Sequence, residues 1–252
     1  MLTKRSRYDV LAPIVLFVVL YLALEIIIRM FAIPRYVLPS PTQILLSFLS
    51  QATTVIIPNL IITLQEIFVG LLFGIPLGIV LAAFMTQFKI LDKAFSPFVI
   101  LLATTPLLTL VPLLMLWLGL GIQIKMIAVA ISTFPIVMLN AATGFSNVDD
   151  LKLELMKALG ASRLQTFFRV ILPAASPSVF TGVKLGCIFA TTTAIGAEFV
   201  GGNVGLGSKI LMATSFIQTD IAFACILAVA LIGIVLYGLV AFLERRIVTW
   251  ET

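Results

Sequence analysis

The chain has 252 residues, of which 61% are hydrophobic and only 11% are charged, with a formal net charge of +5. A water-soluble domain carries roughly 25% charged residues, so this composition excludes a soluble globular fold and predicts an all-α polytopic membrane protein. In such a protein a basic excess is typical of cytoplasmic loops, not of nucleic-acid binding. The chain contains no histidine, the commonest metal ligand and general base, and no metal site is predicted.

About twenty apolar residues cross the hydrocarbon core of a bilayer. On this basis the sequence predicts six spans in one transmembrane domain, 1–252, and the spans lie near residues 10–30, 58–85, 94–118, 124–144, 174–198 and 220–243. The first span follows a basic segment, as in a signal peptide, but it is too long and lacks a small-residue cleavage site, so it is predicted to be retained. Cys187 and Cys225 fall in apolar runs and are predicted to be unpaired core residues.

The distribution of lysine and arginine predicts the orientation. With both termini in the cytoplasm, the outer side keeps only Arg29, Arg35, Lys125 and Lys209 of the 16 basic residues. The inner side then holds the others, which are Lys4, Arg5, Arg7, Lys89, Lys93, Lys152, Lys157, Arg163, Arg169, Lys184, Arg245 and Arg246. The polar segment after the fourth span, 145–172, is therefore predicted to be cytoplasmic.

Proline and glycine divide the spans and their connections. After Pro41 a short helix is predicted along the outer face. In the second span Gly70, Gly74 and Gly78 repeat at four-residue spacing, which favours close helix packing. Pro106 and Pro112 are expected to bend the third span, and Pro135 the fourth. Bent helices that rearrange suit alternating access, but prolines are also common in inert spans.

The outer end of the fifth span carries polar residues beside a glycine-rich segment, "GAEFVGGNVGLGSKI". This segment is predicted to form a re-entrant or tightly turned outer loop that contains Gly205 and Gly207. Glu198, just before it, either shapes an outer gate or is simply solvated near the interface. The hydroxyl of Thr192, like those of its two threonine neighbours, either lines a pathway or bonds back to its own helix.

The cytoplasmic stretch "ELMKALGASRLQTFFRVILP" predicts a short helix that ends in a turn. Asp149 and Asp150 suit the N-terminus of this helix, and Gly160 suits the left-handed position that ends it. A second amphipathic segment follows, and Pro173 suits the first turn of the next span. The periodicity leaves two alternatives open, an amphipathic loop on the membrane surface and a helix that docks in a groove of a soluble partner.

This stretch resembles the EAA loop of ABC-importer permeases, in which Glu-Ala-Ala, three residues, Gly and nine residues precede Ile-x-Leu-Pro. Glu154, Gly160 and Pro173 match the pattern, Leu155 and Met156 stand where the alanines would be, and Val170 replaces isoleucine. Further segments, among them "PLLTLVPLLMLWLGLG", "AEFVGGNVGLG" and "LERRIVTW", are similar in order to the permeases of the nitrate, sulfonate, taurine and vitamin-precursor branch.

The resemblance implies a type I ABC-importer permease fold in which 145–172 is the cytoplasmic coupling loop. It implies a prokaryotic inner-membrane subunit without catalytic residues, two copies of which form the pore, served by an extracytoplasmic binding protein. ATP and Mg²⁺ belong to a partner ATPase, because the chain has no G-x-x-x-x-G-K-[ST] loop. The residues expected to couple to the ATPase are Glu154, Leu155, Met156, Ala158, Gly160, Ala161 and Pro173.

One position departs from the family, whose members often carry an arginine about four residues before the first glycine of "GLLFGIPLG". Here that position is Glu66, which either reverses a charge that acts on the substrate or simply exchanges a pairing partner. The candidates for the pathway and gate are Glu66, Pro106, Thr192, Glu198, Gly205 and Gly207.

Two other classes of function fit the sequence less well. An ion-coupled secondary transporter would need buried acids or an inverted repeat near mid-membrane, and neither is evident. An intramembrane enzyme lacks candidate catalytic groups. The predicted substrate is a small organic molecule or anion, with nitrate, alkanesulfonates, taurine and the precursors of thiamine and riboflavin left open.

Overall fold

A computed structural model of the chain describes residues 7–87, 89–119 and 121–250. Eleven α-helices and two five-residue π-helical segments occupy these ranges, which contain no strand. The helices are α1 (Arg7–Met30), α2 (Pro41–Ser50), α3 (Ile57–Gln87), α4 (Lys89–Thr104), α5 (Leu107–Leu118), α6 (Ile122–Ser146), α7 (Asp150–Ala158), α8 (Arg163–Thr166), α9 (Leu172–Gly201), α10 (Leu206–Ser215) and α11 (Thr219–Ile247). Segments π1 (Ala52–Ile56) and π2 (Phe167–Ile171) lead into α3 and α9. The predicted all-α fold is confirmed.

The helices reach the lengths that membrane spans require. Within the described ranges, four helical stretches are long and apolar enough to cross a bilayer, and α4 with α5 makes a fifth if the bent pair is one broken span. Helix α1 has 24 residues, which is also enough. Its apolar side chains are exposed, as lipid-facing side chains are, with Phe17 69% exposed. The count of six spans and the orientation both stay predictions. Among the basic residues from which the orientation was predicted, Lys4 and Arg5 and the side chains of Arg7, Lys89 and Lys93 lie outside the described residues.

The predicted third span, 94–118, is not one continuous helix. Helix α4 ends at Thr104, and α5 begins at Leu107 at an angle of 95° to it. Pro106 has an extended backbone, with ψ at 102°. Proline lacks the N–H of a helical hydrogen bond and disfavours helical backbone in the residue before it. The bend expected at Pro106 is thus confirmed but is a full break, whereas α5 and α6 continue through Pro112 and Pro135.

Glycines bring α3, α6 and α9 together at the centre of the molecule. Gly74 of α3 lies so close to α6 that an added Cβ would be 3.0 Å from the carbonyl oxygen of Ala130. Gly78, one turn further, would meet the carbonyl oxygen of Phe134 at 2.6 Å. Helix α9 also approaches α6 closely, since an added Cβ on Gly182 of α9 would lie 3.2 Å from the Cα of Val137. The packing role predicted for the glycine repeat of span two is confirmed.

The two cysteines lie in the core beside this packing. Cys187 of α9 and Cys225 of α11 are buried and free, and they belong to a hydrophobic cluster shared by α3, α9, α10 and α11. The sequence prediction for both residues is confirmed.

The predicted short helix after Pro41 is α2. Its N-terminus is closed by a capping box, in which the hydroxyl of Ser40 accepts from the backbone N–H of Gln43 and the Gln43 side chain accepts from that of Ser40 at 3.1 Å. Thr42 donates its hydroxyl and its backbone N–H to the carboxylate of Glu25, at 2.7 and 3.0 Å, and so joins α2 to α1.

The glycine-rich segment after the predicted fifth span was expected to be a turned loop, but only its first part is a turn and the rest is helical. After a turn at Gly202–Gly205 the chain forms the ten-residue helix α10, whose buried residues include Leu206, Gly207 and Ser208. Side chains of α3 and α9 bind the backbone N–H groups of its first turn, and these contacts account for the helix.

The glycine contacts predict a difference between two glycine substitutions. Gly78→Ala should destabilise the protein by about 1–3 kcal/mol, because the new methyl group overpacks the backbone of α6. Gly233→Ala, in α11, should have no such effect, because nothing lies within 4 Å of its added Cβ. Thermal unfolding in detergent, followed by size-exclusion chromatography, measures both; equal midpoints for the two variants would contradict the packing role.

Candidate functional site

Three buried charged residues meet where α3, α6 and α9 lie next to the turn before α10. Glu66 of α3 and Glu198 of α9 are fully buried, and Lys125 of α6 is 3% exposed. The ammonium of Lys125 lies 2.8 Å from Oε1 of Glu66 and donates to the carbonyl oxygen of Val204 at 3.2 Å. We call these three residues the charge cluster. Ions buried this deeply are stable only when paired and hydrogen-bonded, so the cluster fixes the three helices relative to one another.

Glu198 holds the start of α10. Its Oε2 accepts a hydrogen bond from the backbone N–H of Gly207, and its Oε1 lies 2.7 Å from the hydroxyl of Thr63. The first N–H groups of a helix have no partner within the helix, and its N-terminus favours negative charge. The carboxylate of Glu198 therefore caps α10 from a neighbouring helix.

Helix α3 supplies two more partners to the same turn. The side-chain oxygen of Asn59 accepts from the N–H of Gly205 at 3.0 Å, and the hydroxyl of Thr63 accepts from the N–H of Leu206 at 3.0 Å. Gly205 has a φ of +104°, in the region that favours glycine. An added Cβ on Gly207 would lie 2.8 Å from Oε2 of Glu198. Gly205 is thus required by its backbone conformation, and Gly207 by the closeness of the Glu198 carboxylate.

These contacts bear on the alternatives left open for the two glutamates. Glu66 pairs with Lys125, and its second carboxylate oxygen has no hydrogen-bond partner among the described residues; a role of Glu66 towards the substrate stays a prediction. The solvated alternative for Glu198 is wrong, because that residue is fully buried. The contributions of Asn59, Thr63 and Lys125 were missed. Asn59, Thr63 and Glu66 recur at spacings of four and three, so a polar stripe on an apolar helix was the signal that could have found them.

The predicted pathway residues form two groups. Glu66, Glu198, Gly205 and Gly207 come together in and around the charge cluster. Pro106 and Thr192 lie apart from it, but they both line one cavity of about 260 Å³ at the break between α4 and α5. The hydroxyl of Thr192 donates to the carbonyl oxygen of Ile188 in its own helix.

The coupling residues lie on and after α7, which has the predicted start and end. Asp149 caps the helix by accepting from the N–H of Leu151 at 3.0 Å. At the other end Gly160 has a φ of +70°, and its N–H donates to the carbonyl oxygen of Lys157. The N–H of Ala161 reaches back to the carbonyl oxygen of Met156. This pair of bonds is a Schellman motif, so the prediction that glycine ends the helix is confirmed.

Helix α7 presents an apolar edge that the rest of the described chain does not cover. Leu151, Leu155 and Leu159 follow at four-residue spacing and are 73%, 60% and 71% exposed. Glu154 and Ala158 are also exposed, and no residue of α7 is buried. The other predicted coupling residue, Pro173, lies in the first turn of α9, as the sequence predicted.

Comparisons with known proteins show which family and which proteins the sequence is similar to. Residues 74–249 match the family model of the "binding-protein-dependent transport system inner membrane component". The chain is 32% identical to the formylaminopyrimidine transport permease protein ThiX of Halalkalibacterium halodurans over 98% of both chains. It is 33% identical to the taurine transport system permease protein TauC of Escherichia coli, over 73% of this chain and 66% of that one.

Solved structures show the same fold. A crystal structure of an amino acid ABC transporter with histidines matches with a TM-score of 0.65 at 20% identity, covering 79% of this chain and 96% of that one. The MetNI methionine ABC transporter in an inward-facing conformation matches with a TM-score of 0.57 at 21% identity, covering 77% and 93%.

The charge cluster predicts a strong asymmetry between single and double substitutions. Lys125→Met should destabilise the protein by about 3–5 kcal/mol, because it leaves the buried charge of Glu66 unpaired. Adding Glu66→Gln to Lys125→Met should restore most of the lost stability, because both charges are then gone. Lys184→Met, which breaks the less buried pair with Glu244, should cost less. Thermal unfolding of the four proteins is the measurement, and a double variant no more stable than Lys125→Met would contradict the pairing.

Proposed function

The chain belongs to the family of binding-protein-dependent transport system inner membrane components, and from this premise we propose how its parts serve an ABC importer. As a permease subunit it forms the membrane pathway. A separate cytoplasmic ATPase docks on α7, and the helix transmits the movement of the ATPase to α9 through the turn at Gly160. ATP and Mg²⁺ are bound by that ATPase, and this chain has no catalytic residue.

The observation that carries the docking proposal is the exposed apolar edge of α7. A short helix with three exposed leucines at four-residue spacing suits binding in a groove of a soluble partner. Its ends are fixed by the Asp149 cap and the Gly160 turn, so the helix is presented in one conformation. The continuous helical stretch Arg163–Gly201 begins directly after this turn. A displacement of α7 would therefore be passed to the centre of the molecule.

The assembly we propose contains two copies of this chain, two ATPase subunits and an extracytoplasmic substrate-binding protein. Two copies are needed because one set of about six spans is small for enclosing a gated path, and two-fold symmetry is the commonest way to pair them. The exposed apolar surface of α1 supports burial against lipid or against the second copy. The chain would be a multi-pass protein of a prokaryotic inner membrane, with both termini and the segment 145–172 in the cytoplasm.

In the proposed cycle, ATP binding closes the ATPase dimer and draws the two α7 helices together. The central helices α5, α6 and α9 then rotate, and the pathway opens outward to receive solute from the binding protein. Hydrolysis resets the assembly. The charge cluster would serve as the hinge or gate support at the outer end, since it links α3, α6, α9 and α10.

We propose that the solute is a small organic molecule or anion. Relatives over most of the chain transport different solutes according to their names: formylaminopyrimidine for ThiX, and riboflavin for RibX of Chloroflexus aurantiacus, 30% identical over 86% of this chain. Similarity over 98% of both chains favours a vitamin precursor of the first kind. A secondary transporter has no support, because the family and the matched folds are those of ABC importers.

The Gly160 turn gives the first test of coupling. Gly160→Pro should abolish ATP-driven uptake while leaving the chain in the membrane, because proline cannot adopt a φ of +70° and lacks the N–H that bonds to Lys157. Gly160→Asn is the matched control, since asparagine tolerates the left-handed region, and it should keep most of the activity. Uptake in proteoliposomes measures both variants, and normal uptake by Gly160→Pro would count against the coupling role.

Co-purification tests the partner itself. The chain expressed with its neighbouring genes and purified in mild detergent should carry an ATPase subunit. Replacement of Leu155 and Leu159 by serine should release that subunit, because it removes two of the three apolar contacts that α7 offers. A chain that purifies alone and transports without nucleotide would overturn the proposal.

A further inference from the structure

The cavity at the break between α4 and α5 has a lining that combines hydroxyl and apolar side chains. Its wall contains five hydroxyl side chains and one aromatic ring, at Thr104, Thr105, Ser132, Thr192, Thr193 and Phe189, and the other six lining residues are apolar. No charged residue lines it, and all its lining residues belong to the described chain. We call this space the hydroxyl cavity. It lies between α5, α6 and α9, the helices that the proposed cycle moves.

Most of these hydroxyls have their protons committed to their own helices. Thr105 donates to the carbonyl oxygen of Leu101 at 2.7 Å, Ser132 to that of Val129 at 2.9 Å, and Thr192 to that of Ile188 at 3.1 Å. Thr104 likewise donates to the carbonyl oxygen of Ile100 at 2.9 Å. A hydroxyl oxygen that has donated still has lone pairs to accept with. Towards a solute, these four groups are therefore hydrogen-bond acceptors.

Thr193 differs from its neighbours. Its side chain lines the cavity although the residue is only 7% exposed, and its hydroxyl makes no hydrogen bond within the described chain. Its hydroxyl oxygen is accessible from the cavity, so a solute or a water molecule there can bond to it. The adjacent Thr191, by contrast, is buried and donates to the carbonyl oxygen of Cys187 at 2.9 Å. Thr193 is thus the one hydroxyl of the cavity wall that is free to both donate and accept.

This lining offers an anion no cation to pair with. An anion that enters it loses hydration, and only the N–H groups at the first turn of α5 and the Thr193 hydroxyl can offset that loss. An uncharged solute with N–H donors can instead form hydrogen bonds to the four hydroxyl oxygens that act as acceptors. The N–H groups of the first turn of α5 and the hydroxyl of Thr193 can serve an acceptor atom on the same solute. Phe189 adds an aromatic face for a planar ring.

We propose that the hydroxyl cavity is a solute-binding station on the translocation pathway, selective for small, uncharged, planar molecules with N–H donors, and that Thr193 is a specificity-determining contact. Its volume of about 260 Å³ lies below the roughly 300 Å³ at the lower end of sites for small molecules, so it suits a single heterocyclic ring. This inference rests on the proposed importer function and narrows its substrate to the uncharged class.

Thiol protection tests binding without requiring transport. Thr193→Cys places a thiol in the cavity wall, while the native Cys187 and Cys225 are buried and give a low background. In the complex purified with its ATPase, N-ethylmaleimide should label the introduced thiol, and 4-aminopyrimidine should slow that labelling at least threefold. Ethanesulfonate should not slow it. Thr191→Cys, which is buried and does not line the cavity, should stay unlabelled with or without either probe. Equal protection by ethanesulfonate, no protection by 4-aminopyrimidine, or an unreactive introduced thiol would each overturn the proposal.

ATP-driven uptake gives the second test. Thr193→Val keeps the shape of the side chain and removes its hydroxyl, and it should lower uptake of the native solute roughly three- to tenfold. Thr191→Val is the control and should transport like the parent. Equal uptake by both variants would overturn the role of Thr193. Failure of the importer proposal has a different signature: the parent protein itself would then show no ATP-dependent uptake, whatever the result of thiol protection.

Discussion

The structure depends on the close approach of α3 and α9 to α6, where glycines of both helices meet Thr133 and Val137. Glycines on each helix make this approach possible, because an added Cβ at Gly74 or Gly78 would collide with the backbone of α6. In a bilayer, where apolar side chains gain little by leaving lipid, such close packing is a principal source of helix association. The three-helix centre therefore provides the rigid frame on which the charged and hydroxyl-lined sites are built.

The charge cluster is possible only because this frame holds its members together. Glu66, Lys125 and Glu198 come from three different helices and are buried by the same packing. The same residues also hold α10, since Glu198 caps it and Lys125 donates to the carbonyl oxygen of Val204 in the preceding turn. Packing, ion pairing and the conformation of the turn before α10 are thus linked, so a movement of α3, α6 or α9 would change the contacts that hold α10.

The two ends of the molecule differ in how they are held. Near α10 the backbone is fixed by buried side chains of other helices, whereas α7 has no buried residue, carries its own cap and glycine turn, and exposes its leucines. The hydroxyl cavity lies beside the break at Pro106, where α4 ends and α5 begins.

The sequence by itself determined the features that depend on local chemistry. These are the all-α membrane class, the short helix after Pro41, the cap of α7, the left-handed Gly160, a bend at Pro106 and the glycine face of α3. Hydropathy, proline, glycine and capping residues act within a few residues, so their effects can be predicted from the chain. Only the tertiary structure decided that Glu66 pairs with Lys125, that Glu198 caps α10, and that Thr193 rather than Thr192 keeps a free hydroxyl. Those outcomes depend on which side chains of distant segments meet, 59 residues apart in the case of Glu66 and Lys125, and local pattern does not contain that distance.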